Sequence, residues 1–255
     1  MSDVGWILMG SFAAFLFGGI PVVFALGVAA VIGLWVSDVD LVVAVQRTIS
    51  GTQSFSLLAV PGFILAGELM LRGGLSRRLI RMCHSLVAQL RGGLGMVVVL
   101  SAAFFAAISG SAPATTAAIG KIMVPEMEAR GYDRPFAAAL ATASGPIGQM
   151  IPPSIPMIVW GVISGTSITR LFLAGVLPGI LIAIGLMVLC YFHDWGSQRA
   201  SDKKGLDFNE IRAAFKDGVW SLLAPVIILG GIYGGIFTPT EASVIGVAYG
   251  LLVGV

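Results

Sequence analysis

The feature that most constrains the fold is an uncharged apolar run, from Gly92 to Gly120, that small and hydroxylated residues interrupt. The interruption is the segment 109–116, which reads SGSAPATT, and its glycine and proline disfavour a helix centre. The chain is 57% hydrophobic and 11% charged, which is typical of an integral membrane protein. Irregular backbone at membrane depth is tolerated only where protein or a water-filled cavity satisfies its polar groups. The segment 109–116 is therefore a candidate site.

Other apolar runs predict an all-α polytopic membrane protein. The uncharged run from Gly5 to Val36 exceeds the length that crosses a ~30 Å hydrocarbon core. A break near Pro21 makes it one kinked helix or two short helices, and we favour one kinked span. A polar loop follows from Asp38 to Gln53. Later runs predict spans at 55–71, 136–163, 171–192 and 220–237, a polar loop at 193–217 and a final helix from 238.

The segment 72–91 differs from its neighbours because it contains five arginines among leucines and no acidic residue. Arg77, Arg78 and Arg81 share one helical face, and most of the leucines lie on another. This pattern predicts an amphipathic helix that lies in the membrane interface, with its basic face toward lipid headgroups. An ordinary cytoplasmic loop is the alternative.

The positions of the basic residues predict how the run 92–120 meets the membrane. If this run returns to its starting side as a re-entrant hairpin, thirteen of the fifteen basic residues share one side, and only Arg47 and Arg170 lie opposite. If it crosses fully, the basic residues divide six to nine. Lys and Arg collect in cytoplasmic loops, so the re-entrant arrangement is favoured. Arms at 95–107 and 115–127 would each be about 20 Å long, which is too short to cross.

A second break interrupts the span 136–163 at 145–156, where four prolines disrupt the helix. Carbonyls that lose their partners can coordinate sodium, and half-helix N-termini can face an anionic group. Neutral polar side chains accompany the two breaks: Ser109, Ser111, Thr115, Thr116, Ser144, Gln149 and Ser154. A broken helix facing a re-entrant hairpin is typical of a secondary transporter's binding site. The alternative is that small residues serve only close helix packing.

Residues 238–241, TPTE, form a third motif. Thr238, Pro239 and Glu241 fit an N-terminal capping box with an early proline, and Glu241 could instead be an intramembrane coupling acid. We favour the capping role.

The chain lacks a P-loop, a metal-ligand spacing of Cys and His, and a basic partner for a nucleophilic serine at depth. Its net charge of +2 does not suggest a nucleic-acid partner, and we expect no enzyme.

Three motifs together resemble the large membrane subunit of tripartite ATP-independent periplasmic (TRAP) transporters, the DctM-like family. They are the segment 109–120, the break Ile151–Ser154 and the segment 237–242, and the resemblance extends over essentially the whole chain. It implies a bacterial inner-membrane, sodium-coupled importer of organic acids such as C4-dicarboxylates or sialic acids. It also implies two partners, a small membrane subunit and a periplasmic solute-binding protein that delivers the substrate. Sodium would be the coupling ion, with no other cofactor.

The resemblance also implies an elevator-type domain organisation. Its parts would be scaffold helices at 1–71, an interfacial arm helix at 72–93, half of a transport domain at 94–163, and further transmembrane helices with the cytoplasmic loop at 164–255. The transport half would comprise a re-entrant hairpin at 94–127 and the broken helix 136–163. By matching motif, substrate and sodium would meet Ser109, Gly110, Ser111, Pro113, Thr115 and Thr116 of the hairpin, and Ser144, Gly145, Gln149, Pro152, Pro153 and Ser154 of the broken helix.

Family members carry a second, inverted repeat, and this chain ends at Val255 inside an apolar helix before one appears. We therefore expect the N-terminal portion of such a subunit, with one half of the binding site. Two functions from other classes are alternatives: a non-transporting membrane scaffold, and an ion channel whose breaks line a pore.

Overall fold

This computed structural model describes residues 3–194 and 208–254, and for residues 208–210 it describes only the backbone. Helices form all of the regular secondary structure in these residues. The expected all-α class is therefore confirmed for this part of the chain. The chain divides into two packing units, Met1–Ser54 and Phe55–Val255. This division concerns packing, and the functional domain boundaries given above stay predictions.

The first unit contains α1 (Asp3–Phe17), α2 (Val22–Val36) and α3 (Val42–Thr52). The prediction of one kinked span is wrong, because α2 folds back on α1 and a Cβ at Gly33 would lie 2.7 Å from the Leu8 side chain. The reversal is possible because Gly19 has a φ of +81°. The prediction of a polar loop at 38–53 is wrong for the residues that form α3. The Asp40 carboxylate accepts a hydrogen bond from the Val42 N–H at 3.0 Å, which favours the start of this helix.

The second unit is built around α6, most of whose residues are buried. The unit begins with a 3₁₀ turn at Phe55–Leu58, and its helices are α4 (Ala59–Arg72), α5 (Leu75–Val87), α6 (Gly93–Ser109), α7 (Ala112–Ala129), α8 (Arg134–Ser144), α9 (Ile147–Met150), α10 (Ile155–Ser164), α11 (Ile168–His193), α12 (Phe208–Tyr233) and α13 (Pro239–Gly254). Helices α4, α5, α7, α8, α9 and α11 all pack against α6. The two breaks expected from the sequence therefore lie within one packed unit.

Three segments among the described residues are long and apolar enough to cross a membrane: Phe55–Arg72, Ile168–His193 and Ile211–Tyr233. A fourth candidate is the pair Arg134–Met150 and Ile155–Ser164, which is bent by 40° at its break. These segments match four of the spans expected from the sequence. The predicted loop at 193–217 is wrong for residues 208–217, which belong to α12, and its residues 195–207 lie outside the described part.

The basic segment forms the expected amphipathic helix as α5, so the alternative of a plain loop is wrong for Leu75–Val87. Its buried face packs against α6 and α12 and includes Leu75, Leu79 and Cys83. Its arginines lie on the exposed or half-buried side. The Arg81 guanidinium forms an ion pair with Asp217 of α12 at 3.2 Å, so this arginine already has a protein partner.

Candidate binding site

The hairpin break between α6 and α7 is narrower than the sequence predicted. Only Gly110 and Ser111 lie outside the helices, so the expectation that all of 109–116 is irregular is wrong for Ser109 and for 112–116. Gly110 has a φ of +62°, which favours glycine. Ser111 is extended and caps α7, with its Oγ 3.5 Å from the Ala114 N–H. Pro113 lies in the first turn, where a missing N–H costs no intrahelical bond, so this sequence begins a helix well.

Two buried hydroxyl groups close the hairpin tip. The Ser109 Oγ, at the end of α6, lies 3.1 Å from the Thr115 Oγ1 in the first turns of α7. Ser109 is 3% exposed and Thr115 is fully buried. The Ser111 N–H lies 3.5 Å from the same Ser109 oxygen. The two hydroxyls therefore bond each other, and the Ser109 oxygen also lies near an N–H of the turn, at a place where water has little access.

The second break separates α8, α9 and α10 and repeats the same capping arrangement. Ser154 is extended and caps α10, its Oγ accepting from the Met157 N–H at 3.4 Å and donating to the Gln149 carbonyl at 2.7 Å. Pro152 and Pro153 precede it, are buried and are joined by a cis peptide bond. Helices α7 and α10 thus both begin with a capping serine and a proline in the first turn.

The two breaks are in direct contact. The Ile155 N–H, at the first position of α10, donates to the Gly110 carbonyl at 3.1 Å. A Cβ at Gly110 would lie 2.4 Å from the Pro153 carbonyl oxygen, so only glycine fits there. Close approach continues behind the tip, where a Cβ at Gly145 would lie 2.0 Å from the Thr116 Oγ1. The structure therefore brings the starts of α7 and α10 to one place.

Not every residue expected at the site offers a free polar group there. The Ser144 hydroxyl is buried and donates to the Leu140 carbonyl of its own helix at 2.8 Å. Pro113 and Gln149 are exposed, so they lie at the edge of the contact between the breaks. Ser111 and Thr116 are half-buried. The buried pair and the two capping serines form the inner part of the candidate site.

The motif at 238–241 has the predicted capping geometry. The Thr238 N–H donates to the Glu241 carboxylate at 2.8 Å, and the Glu241 N–H donates to the Thr238 hydroxyl at 3.3 Å. Pro239 is the first residue of α13. Within the described residues, no hydrogen bond connects these three side chains with either break. The capping role is therefore confirmed, and a coupling role stays untested.

Two glycines that the sequence analysis missed allow the close packing. A Cβ at Gly148 of α9 would lie 2.6 Å from the Thr115 Oγ1, and a Cβ at Gly67 of α4 would lie 3.2 Å from the Ser109 Cα. Glycine lowers helix stability, which is a signal that each has a packing reason, but the sequence alone does not name the neighbour. The tip is therefore enclosed by α4 as well as by α9 and α10.

The donor set of the site is neutral. It consists of serine and threonine hydroxyls, backbone carbonyls and the N–H groups that begin two helices. The described residues contain no group of three or more His, Cys, Asp or Glu side chains that could hold a metal ion. In α10 the N–H groups of Ile155 and Met157 already donate within the site. Such a set can therefore contact a monovalent cation through its oxygens and attract an anion through the positive ends of two helices, without a fixed charge.

The long apolar helices and the broken elements between them define the class of helical membrane proteins. Residues 9–255 match the family model described as "Tripartite ATP-independent periplasmic transporter, DctM component", and the chain belongs to this family. The resemblance that the motifs indicated is therefore confirmed. The family comprises transporter permeases and not enzymes.

Relatives of known name match nearly the whole chain. It is 41% identical over 251 residues to the isethionate TRAP transporter permease protein DctMQ of Oleidesulfovibrio alaskensis, covering 97% of this chain and 39% of the relative. It is 42% identical to the 2,3-diketo-L-gulonate TRAP transporter large permease protein YiaN of Escherichia coli, covering 92% and 55%. It is 38% identical to the sialic acid TRAP transporter large permease protein SiaM of Vibrio cholerae, covering 99% and 58%. The chain thus spans about half the length of these relatives.

Proposed function

We propose that this chain is the N-terminal part of the large permease subunit of a sodium-coupled importer of organic acids in a bacterial inner membrane. A periplasmic solute-binding protein would deliver the substrate, and a small membrane subunit would complete the permease. The observation that carries the proposal is the hydrogen bond from the Ile155 N–H to the Gly110 carbonyl, which supports one site made by both breaks. The chain would supply one half of that site.

The electrostatics of the two breaks suit a carboxylate beside a sodium ion. Helices α7 and α10 begin there, and each N-terminus carries roughly half a positive charge that favours an anion. Sodium would be held by oxygens, for which the hydroxyls of Ser109 and Thr115 and the carbonyls near the breaks are candidates. Because the site has no fixed charge, ion and substrate would partly neutralise each other, which favours joint binding.

The names of the relatives support the substrate class. Those named above transport isethionate, 2,3-diketo-L-gulonate and sialic acid, and another relative is a C4-dicarboxylate permease. All four substrates are organic anions with a sulfonate or carboxylate group. The positive end of a helix favours that shared anionic group, because its dipole acts on the charge and has no preference for the remainder of the molecule. We therefore infer an organic acid, of the C4-dicarboxylate or sialic-acid type.

The lengths of α6 and α7 bear on the re-entrant hairpin. They have 17 and 18 residues, so they are longer than the arms expected from the sequence. They would be about 26 and 27 Å long at 1.5 Å per residue, but the second half of α7 carries Lys121, Glu126 and Glu128. Charged residues lie outside the hydrocarbon, so α7 would reach only partway across from the basic side. We propose that the tip lies at membrane depth.

An elevator motion would need a movable link between the hairpin and the remaining helices. Helix α5 is a candidate, since glycines in the left-handed region flank it: Gly74 has a φ of +74° and Gly92 a φ of +72°. At a glycine the backbone can change its φ and ψ angles without a steric clash from a Cβ atom, so the chain can bend at these two positions. We propose that α5 is the arm that joins the scaffold to the transport domain.

The test is uptake into proteoliposomes that contain the complete permease with its small subunit and solute-binding protein. Radiolabelled C4-dicarboxylate and sialic acid should accumulate only with an inward sodium gradient. Ser154→Ala removes a helix cap worth roughly 1 kcal/mol and should lower uptake several-fold. The control is Ser167→Ala, which removes the equivalent cap of α11, where the exposed Ser167 Oγ lies 3.5 Å from the Arg170 N–H, and it should retain uptake.

Three results would reject the proposal. Uptake that required ATP and ignored sodium would exclude secondary transport. Flux without saturation or fixed stoichiometry would indicate a channel. Unchanged uptake in both Ser111→Ala and Ser154→Ala would mean that the breaks serve only packing, as in a scaffold subunit.

A further inference from the structure

An open groove lies between α5 and α12, away from the two breaks. Its volume is about 590 Å³, and its lining residues are Arg78, Arg81, Ala213, Ala214, Lys216, Asp217 and Trp220. Three of these side chains are cationic and one is acidic, so the groove carries two net positive charges. We propose that this groove binds the phosphodiester headgroup of an anionic phospholipid.

The charges in the groove are arranged to receive an anion. Arg81 and Asp217 pair at 3.2 Å across the two helices and tie α5 to α12. Arg78 and Lys216 form no ion pair with any side chain of the described residues. Arg78 is also half-buried, and a cation removed from water without a partner is unfavourable until an anion binds. A phosphodiester between Arg78 and Lys216 would neutralise both positions.

The surface below the groove is apolar and faces outward. Trp220 is 50% exposed, and Leu223 and Ile227 continue on the same face of α12 at spacings of three and seven residues. This strip is about 10 Å long from Trp220 to Ile227. The charged groups of Lys216 and Asp217 precede Trp220 by one turn, within the candidate span Ile211–Tyr233. Cations followed by an exposed tryptophan and an apolar strip are typical of a membrane–water boundary.

This combination favours a lipid over a soluble anion or an acidic peptide. A headgroup in the groove would place its acyl chain along Trp220, Leu223 and Ile227, so one molecule would cover both the charges and the strip. A free phosphate or an acidic peptide would satisfy the cations and leave the apolar strip without contact. The inference rests on the proposed membrane placement of α12 and not on transport or sodium coupling.

The experiment uses quenching of tryptophan fluorescence by brominated lipids. The complete permease is reconstituted in phosphatidylcholine vesicles that contain increasing amounts of brominated phosphatidylglycerol or brominated phosphatidylcholine, with bromine near the top of the acyl chain. The signal of Trp220 is the difference between the wild type and Trp220→Phe. Each cation should contribute roughly fivefold to the preference for the anionic lipid, so Trp220 should be quenched at a much lower fraction of brominated phosphatidylglycerol.

The double variant Arg78→Gln/Lys216→Gln should lose this preference, and both lipids should then quench Trp220 alike. The matched control is Arg47→Gln/Arg170→Gln, which removes the same charge from exposed positions outside the groove and should keep the preference. Thermal unfolding of each variant shows whether it is folded, and this measurement does not depend on which lipid the variant prefers. The readout requires neither substrate nor sodium, so its outcome is independent of the transport assay.

Two results would overturn the inference. An equal preference for phosphatidylglycerol in the wild type and a folded Arg78→Gln/Lys216→Gln variant would show that the groove does not select the lipid. Suppression of the preference by millimolar glycerol phosphate would show that the groove takes a soluble phosphate instead. Retention of the preference in glycerol phosphate supports the lipid.

Discussion

Replacing Gly110 by alanine should damage both stability and uptake, because this residue combines two constraints. Its φ of +62° lies in the left-handed region, and a Cβ would lie 2.4 Å from the Pro153 carbonyl oxygen. The left-handed conformation costs a non-glycine residue about 1–2 kcal/mol. The contact with Pro153 involves backbone, which cannot rotate away, and overpacking of this kind typically costs about 1–3 kcal/mol.

The chain offers a matched control at Gly165. This glycine also ends a helix, has a φ of +68°, and has no atom within 4 Å of a built Cβ. Gly165→Ala should therefore lose only the conformational part, about 1–2 kcal/mol, whereas Gly110→Ala should lose about 2–5 kcal/mol. The difference between the two variants isolates the contact between the breaks.

The measurement is equilibrium unfolding of the complete permease in detergent, followed by sodium-driven uptake in proteoliposomes. Gly110→Ala should lower both the unfolding free energy and uptake, because the shift needed to relieve the contact weakens the bond from the Ile155 N–H to the Gly110 carbonyl. Gly165→Ala should retain uptake. If the two variants lost the same unfolding free energy and transported equally, the proposed contact between the breaks would be refuted.

Three further predictions concern residues outside the site. Burial raises the pKa of the Cys83 thiol from 9.0 to about 12. In the folded permease the rate at which Cys83 is alkylated should therefore stay constant between pH 7 and 9, whereas in the unfolded chain this rate should increase with pH. Tyr132→Phe removes the hydroxyl that donates to Asp194 and should lower the unfolding free energy by about 1–3 kcal/mol, measured by denaturation. Glu241→Gln should keep sodium-driven uptake because glutamine also completes the capping box with Thr238, and lost sodium dependence would assign Glu241 a coupling role.

The sequence predicted the breaks because their chemistry is local. Glycine and proline disfavour a helix centre through their own backbone geometry, and the helices are interrupted where these residues occur. The capping roles of Ser111 and Ser154, which precede α7 and α10, were not predicted, although they too are local. Local chemistry also predicted the capping box at Thr238. The breadth of the hairpin break was overestimated because Pro113 was taken as a helix breaker, whereas in the first turn it is compatible with a helix.

What the sequence could not predict depends on tertiary contacts. Whether the run from Gly5 to Val36 is one helix or two depends on packing between its halves, and the close contact of Leu8 with Gly33 decides for two. Polarity predicted loops at 38–53 and 193–217. Residues 42–52 instead form α3, and residues 208–217 belong to α12, which packs on α5. The pairing of Thr115 with Ser109 and its contact with Gly148 likewise join residues that no periodicity connects.

The central claim, a joint sodium and carboxylate site at the two breaks, is tested most directly by sodium-dependent stabilisation. The unfolding free energy of the complete permease, measured by thermal unfolding, should rise in sodium chloride and not in potassium or choline chloride. The rise should be about 2.7 kcal/mol when the sodium concentration is a hundred times the dissociation constant. Thr115→Val, which removes the buried hydroxyl beside Ser109, should abolish most of the rise. The control Thr142→Val, whose exposed hydroxyl bonds only the Ala138 carbonyl of α8 at 2.8 Å, should preserve it. Equal stabilisation by sodium and potassium, or a full sodium response in Thr115→Val, would contradict the account.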